Sequence, residues 1–504
     1  MACIAFVDAA RPRVTRERWR RAAAGGVLGC AIAALAMAPT WSQLARTWRE
    51  DAAFQWCWLV VPAVLYGLSR HWRAASEPQF DIRGLWATLP AAALWWICDL
   101  MNIAVGQEFA LVIALQGIAW SALGRRLYRE SFAALALLFL MVPSADFLQP
   151  ALRTITLSGI DLLAFATGLP YRVEGYEITI GTQHYIVIDE CSGLASVTLS
   201  MFLGFFFGTL LYRSLWKVLS LAAFAALLGV ASNLLRVDAI VWIDRLRGSQ
   251  MALTAHADIQ WLSVLAVLGL LLLALGRLRG DPAMPASTVV EPSAARRLDR
   301  FAPVLAGLSV PLVVWVLNAA GRTLATASVG EARASSQSSQ TLPATLAGAA
   351  RVEDGTRWAI DPGQSTASSV TVYRRGNAEI QAFVVETLSP ADKLPRWQLP
   401  ATRSGHWRDM QTKRETDCDP RGCVAYSRLV LQGSDFGQRR SMEATYCGAG
   451  MMTDSVLRIR AAHAWSRLKG LADSQRSVVL VVDGDGLSAG EAADALRSLC
   501  GQSG

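Results

Sequence analysis

Charge is scarce in this chain: only 17% of its 504 residues are Asp, Glu, Lys or Arg, whereas 53% are hydrophobic. With a mean hydropathy of +0.31, that scarcity excludes an ordinary soluble protein unless the apolar residues are gathered into spans. Histidine is scarcer still, at five residues. A metal site built from His184, Asp189, Glu190 and His256 would lack any recognised local ligand spacing, so no metal or other cofactor is expected. A small-residue cleavage site is also missing after the first apolar run. The first span is therefore read as a retained helix rather than a cleaved leader.

What is present is a series of nearly uncharged stretches, most of them long enough to cross a hydrocarbon core as a helix. The candidate spans are 22–39, 54–68, 85–103, 109–123, 132–147, 193–212, 219–235, 259–275 and 301–320. The expected fold is a polytopic all-α membrane protein of about nine transmembrane helices, followed by a small α+β extracytoplasmic C-terminal domain.

The formal charge of +8 does not point to nucleic acid. With the N-terminus cytoplasmic, the inner segments collect Arg11, Arg13, Arg16, Arg18, Arg20 and Arg21, then Arg70, Arg73 and Arg83, then Arg125, Arg126 and Arg129. Arg213, Lys217, Arg277 and Arg279 continue the bias, while the outer segments before the last domain hold few cations. The basic balance is thus topogenic. It predicts a multi-pass protein among membrane lipids, with no nucleic-acid partner.

The predicted organisation is a basic cytoplasmic tail (1–21), a multi-helix membrane body (22–280) with an outer loop (148–192), a Pro-containing cytoplasmic linker (281–300), a last span (301–320) and an exported domain (321–504). In the exported part, period-two runs at 370–373, 380–385, 423–431 and 478–482 predict strands, and 455–471 and 489–499 predict helices. The outer loop predicts an interfacial helix within 148–169, then two β-prone runs at 171–180 and 185–188.

The nine cysteines divide along the same lines. Cys30, Cys57 and Cys98 fall in spans, where a thiol is usually packing, and Cys3 is in the cytoplasmic tail. Cys418, Cys423, Cys447 and Cys500 fall in the exported domain and suggest two disulfides, with three pairings open. Cys191 is left over on the oxidising side, and catalysis would account for it.

Cys191 stands at the outer mouth of the sixth span, in the string Glu190, Cys191, Ser192, Gly193, Leu194. The seventh span is expected to end outside at Asn233 to Arg236, and the eighth to begin near His256, which brings three distant residues to one depth. A helix N-terminus favours the thiolate. His256 can move its proton, and Arg236 offers fixed donors to an oxyanion or a carboxylate. Asn233 shares a helix face with Arg236. Glu190 and Ser192 flank the thiol, and His184 is a competing base in the same loop.

The Glu190–Leu194 string, the Asn233 and Arg236 pair after the next hairpin, and His256 before another helix together resemble the exosortase and archaeosortase family. The likeness is to bacterial exosortases that sort proteins with a Pro-Glu-Pro C-terminal signal, and it covers roughly residues 20 to 280. It implies that Cys191 is the nucleophile, Arg236 an essential arginine and His256 the base or acid. It also implies substrates that end in a short motif, one transmembrane helix and a basic tail. These would be cut through a thioester at Cys191 and passed to water or to an unidentified surface acceptor, in exopolysaccharide and biofilm systems. The chain departs from the pattern in lacking a glycine soon after His256. Its exported part resembles a fused accessory domain by position and size alone. Two alternatives stand beside this reading: a membrane glycosyl or acyl transferase in exopolysaccharide assembly, for which Cys191 would be replaceable, and a nonenzymatic transport or assembly protein.

Overall fold

The computed structural model describes residues 13–73, 78–101, 103–168, 171–174, 177–180, 183–186, 192–212, 214–278, 280–281, 301–328, 343–352, 367–376, 378–387, 407–420, 422–433, 439–469, 475–483 and 486–501. They divide into two compact units. One comprises Met1–Trp96, Val105–Leu169 and Val187–Leu317; the other comprises Ile97–Ala104, Pro170–Ile186 and Asn318–Gly504.

The first unit is helical, because its long apolar runs can satisfy their backbone groups in a membrane only within themselves. Its helices, with α4 and α11 crossing the unit boundary at their C-terminal ends and α5 at its first residue, are α1 (Arg13–Ala36), α2 (Ala38–Glu50), α3 (Val60–Arg73), α4 (Leu85–Leu100), α5 (Ala104–Glu130), the short α6 (Phe132–Ala136), α7 (Gln149–Ala166), α8 (Leu194–Leu211), α9 (Leu215–Arg247), α10 (Ser249–Arg277) and α11 (Ala302–Ser328). Among the described residues, five helices are long and apolar enough to cross a membrane, or six if the α1–α2 pair, bent by 88°, is one span. Among these residues the expected count of about nine is not confirmed.

The shortfall has local causes. The run expected at 54–68 divides into a 3-10 turn, Gln55–Leu59, and the 14-residue α3. The run at 132–147 breaks into α6 and the 3-10 segment Leu137–Met141. Helix α4 has 16 residues and carries Pro90 inside it.

Several buried polar groups in this unit find partners, as an apolar surrounding favours. The indole of Trp48 donates to the Met141 carbonyl at 3.0 Å, and that of Trp95 to the Thr40 hydroxyl at 2.8 Å. The Gln116 amide donates to the Leu135 carbonyl at 2.8 Å. Helices α8 and α9 approach closely where Gly229 faces α8: a Cβ there would lie 2.7 Å from the Ser196 carbonyl oxygen. Small residues at such crossings let backbones meet, which is how helices gain van der Waals contact in lipid.

In the second unit, three short strands, β1 (Tyr171–Glu174), β2 (Glu177–Ile180) and β3 (Gln183–Ile186), form an antiparallel sheet in the order β1-β2-β3. The run expected as one strand at 171–180 is thus two. The C-terminal part is a nine-stranded sheet built from β4 (Thr345–Leu346), β5 (Ala349–Val352), β6 (Ala367–Arg375), β7 (Ala378–Thr387), β8 (Trp407–Asp419), β9 (Gly422–Gly433), β10 (Arg439–Gly448), β11 (Met451–Thr453) and β12 (Gln475–Asp483). The strand order is β4-β5-β6-β7-β12-β10-β11-β9-β8, with β10 also pairing β9.

Strand β12 sits centrally because both of its faces are apolar. Val478, Leu480 and Val482 enter a core with Ala492 and Leu496 of helix α13 (Ala489–Cys500). Val479 and Val481 enter another with Ile459 of helix α12 (Val456–Leu468). A capping box starts α13: the Ser488 hydroxyl accepts from the Glu491 N–H, while the Glu491 carboxylate accepts from the Ser488 N–H. Cys418 is bonded to Cys423 across the β8–β9 hairpin, and Cys447 of β10 to Cys500 at the end of α13.

One ion network lies inside this sheet. Arg428 of β9 stands opposite Glu443 of β10, with Nε 3.2 Å from Oε1. It also approaches Glu415 of β8 at 3.3 Å and donates to the Leu487 carbonyl at 2.8 Å. Burial pushes the Glu443 carboxyl up to about 7, with the Arg428 charge opposing that rise. Burial and the hydrogen bond to Glu415 likewise raise the Tyr426 phenol.

Candidate functional site

Helix α9 is the frame of the site, and it does not end where the sequence suggested. The expected outer end at Asn233 to Arg236 is an interior turn, since α9 runs 33 residues to Arg247. Residues 234–247 contain neither glycine nor proline, and the helix stops only at Gly248, whose φ of +85° suits glycine. At 1.5 Å per residue, Arg236 lies ~32 Å along the axis from Leu215, close to one hydrocarbon thickness of ~30 Å. Near the Leu215 end, Lys217 pairs with Asp281 at 2.6 Å. Asn233 and Arg236 therefore belong at the far boundary of the apolar layer, on a helix that continues beyond it.

Both side chains are buried, Asn233 at 2% and Arg236 at 5% exposure. A guanidinium withdrawn from water needs acceptors in fixed positions. One nitrogen, Nη2, donates to Asn233 Oδ1 at 2.9 Å, and the other, Nη1, donates to Oε1 of Gln260 on α10. These two amide oxygens orient the cation. The Asn233 amide in turn donates to the hydroxyl of Thr156 on α7 at 3.2 Å. That hydroxyl donates to the main-chain carbonyl of Ser192 at 3.4 Å.

The chain of contacts thus reaches the entrance of α8. Ser192 is 1% exposed, and its hydroxyl accepts from the Leu194 N–H at 3.4 Å. Gly193, with φ +86°, caps the helix and lies against Asn233: a Cβ at this position would come within 2.5 Å of the Asn233 amide carbon and nitrogen. Backbone conformation and space both call for glycine here. The amide end of α8, with its positive dipole, is held against the side chain that orients Arg236.

Of the residues singled out from the sequence, Ser192, Asn233 and Arg236 are brought together. Cys191 and Glu190 lie outside the described residues. His184 is on β3, paired in register with Thr179. His256 lies within α10, one helical turn before Gln260. Among the described residues, no group of three His, Cys, Asp or Glu gathers as a metal site.

Two members of the site escaped sequence reasoning. Thr156 lies on a helix read as interfacial, where one buried hydroxyl gives no signal. Gln260 had a usable one, since a polar amide four residues after His256 shares its helix face.

Neither the curated proteins nor the solved structures contain a match to the chain. The transmembrane exosortase family matches residues 48–275, a segment that holds α7 to α9, nearly all of α10 and every residue of the hydrogen-bonded chain. Residues 48–275 are thus an exosortase-family segment of a multi-pass membrane protein with a C-terminal β-sheet domain.

Proposed function

We propose that this protein is a membrane cysteine transpeptidase, located in a bacterial inner membrane, that removes the C-terminal sorting signal of exported proteins through a thioester at Cys191. Membership in the exosortase family supports a sorting transpeptidase in general terms. The observation that carries the finer reading is the buried line from Gln260 through Arg236, Asn233 and Thr156 to the Ser192 carbonyl. Ser192 is joined to Cys191 by one peptide bond. A preorganised cation beside the nucleophile's segment is what acyl transfer demands.

In this reading His256 accepts the thiol proton and the Cys191 sulfur attacks the scissile carbonyl. A C–S bond forms, and the carbonyl electron pair moves to oxygen, which Arg236 stabilises. As the oxyanion collapses, the C–N bond breaks and the leaving amine takes the proton from His256. Water or an acceptor amine then attacks the thioester, gives its proton to His256 and frees the Cys191 sulfur. With the N-terminus cytoplasmic, the site and the β-sheet domain face the periplasm. Substrates carry a short motif of the Pro-Glu-Pro kind, one transmembrane helix and a basic tail.

The test is to follow loss of the C-terminal signal from a tagged exported protein of that type in cells carrying Cys191→Ala. The expected result is accumulation of the uncut form. Processing at the normal rate would overturn the reading.

A further inference from the structure

The Asn233–Arg236 pair is gripped from both sides by residues to which no role has so far been given. Gln260 reaches Arg236 Nη1 from α10, and Thr156 reaches Asn233 Nδ2 from α7. Thr156 is 2% exposed and holds two polar partners at once, accepting from Asn233 and donating to the Ser192 carbonyl. A hydroxyl so placed fixes the direction of both. The Asn233 amide can then present only its oxygen to Arg236, because its nitrogen is committed to Thr156. Gln260 fixes the other arm of the planar guanidinium, and a plane held at two nitrogens has little freedom to turn.

We infer that Gln260 and Thr156 are positioning residues that set the orientation of Arg236 relative to the chain segment entering α8. This rests on the proposed cysteine mechanism. Neither residue touches the reacting atoms. Both act through Arg236, so their loss lowers the rate of the chemical step and leaves substrate binding largely unchanged.

Full-length protein reconstituted in vesicles is assayed on a tagged substrate in five forms besides wild type: Gln260→Leu, Gln260→Asn, Thr156→Val, Thr156→Ser and Cys191→Ala. Gln260→Leu and Thr156→Val are expected to lower kcat by roughly 10- to 100-fold with KM within about twofold. The conservative variants Gln260→Asn and Thr156→Ser, which keep an amide oxygen or a hydroxyl, are expected to recover part of that loss.

A Cys191→Ala form that is inactive, beside Gln260→Leu and Thr156→Val forms of wild-type kcat, would overturn the positioning role while leaving the cysteine mechanism standing. An active Cys191→Ala form would overturn the mechanism and the role together. Loss through KM alone, or loss that the conservative variants do not recover, would also overturn the role. Should Gln260→Leu fail to accumulate, Thr156→Val, which exchanges a hydroxyl for a methyl, carries the test by itself.

Discussion

Each of the two units holds an arginine away from most of the solvent, Arg236 buried and Arg428 partly buried, and the two are treated differently. In the helical unit Arg236 is met by the amide oxygens of Asn233 and Gln260. In the β-sheet domain Arg428 is met by the carboxylates of Glu415 and Glu443. Amide partners direct a guanidinium and bring no charge of their own, whereas carboxylates pair it with opposite charge. The first arrangement fixes the direction of a cation, as stabilising negative charge that develops during a reaction requires. The second is a crossbrace between strands: it fixes register between β8, β9 and β10, and its cost is a carboxyl pushed up to about 7.

The sharpest way to break this comparison is to remove each cation. Arg428→Ala is expected to lower the stability of the β-sheet domain by about 3 to 5 kcal/mol at pH 8, because a buried charge loses its partner. Hydrogen exchange at β9 and β10 amides of the full-length protein measures this. Arg236→Ala is expected to leave those amides unchanged and to slow processing by about 100- to 1,000-fold, or ~3 to 4 kcal/mol in the barrier. An Arg236→Ala protein that processes normally would erase the distinction.

Within the β-sheet domain, the two disulfides differ in the chain they close. Cys447 and Cys500 are 53 residues apart, and Cys418 and Cys423 are five. The loop-entropy relation gives about 4 kcal/mol for the first and about 2 for the second. Cys447→Ser is therefore expected to lower the unfolding temperature more than Cys418→Ser, as thermal melts of the purified chain would report.

Comparable to the smaller of these is the effect of Gly193→Ala. The substitution forces a side chain into φ +86° and against Asn233. A strain of about 1 to 3 kcal/mol is expected, together with slower processing, since Asn233 must shift. Normal processing by Gly193→Ala would show that the α8 entrance does not hold the Asn233–Arg236 pair.

The smallest effect is the pH response of the crossbrace. The folded Glu443 carboxyl titrates near 7, above its ordinary 4.5. The folded state therefore binds more protons than the unfolded state between those values, and stability falls as pH rises through that window. Glu443→Gln is expected to flatten the response and to gain on the order of 1 kcal/mol above pH 7. An unchanged pH profile would mean that Arg428 already holds Glu443 ionised.

Much of this was readable in the sequence, for physical reasons that differ by element. Helices α8, α10 and α11 announce themselves as long runs nearly free of charge, and β12 as five consecutive apolar residues from Val478 to Val482. Strand β8 was missed because residues 407–419 are mostly polar or charged, as befits the last strand of a sheet. Strand β10 was missed because Ser441, Glu443 and Thr445 are buried, so polarity misreports its face. The length of α9 was underestimated because a span argument stops at a charge, whereas a helix stops at a breaker, here Gly248. The site was half visible: Asn233 and Arg236 share a local spacing, but their contacts with Thr156 and Gln260 join three helices and leave no local pattern.

The most direct measurement of the central claim is to trap the acyl intermediate. Reconstituted protein is incubated with a tagged substrate and hydroxylamine, and a parallel sample is quenched in acid for peptide mapping by mass spectrometry. The account expects the N-terminal substrate fragment linked to the peptide containing Cys191 in the quenched sample, and the same fragment released as its hydroxamate by hydroxylamine. Processing that proceeds with no hydroxamate and no adduct at Cys191 would contradict it.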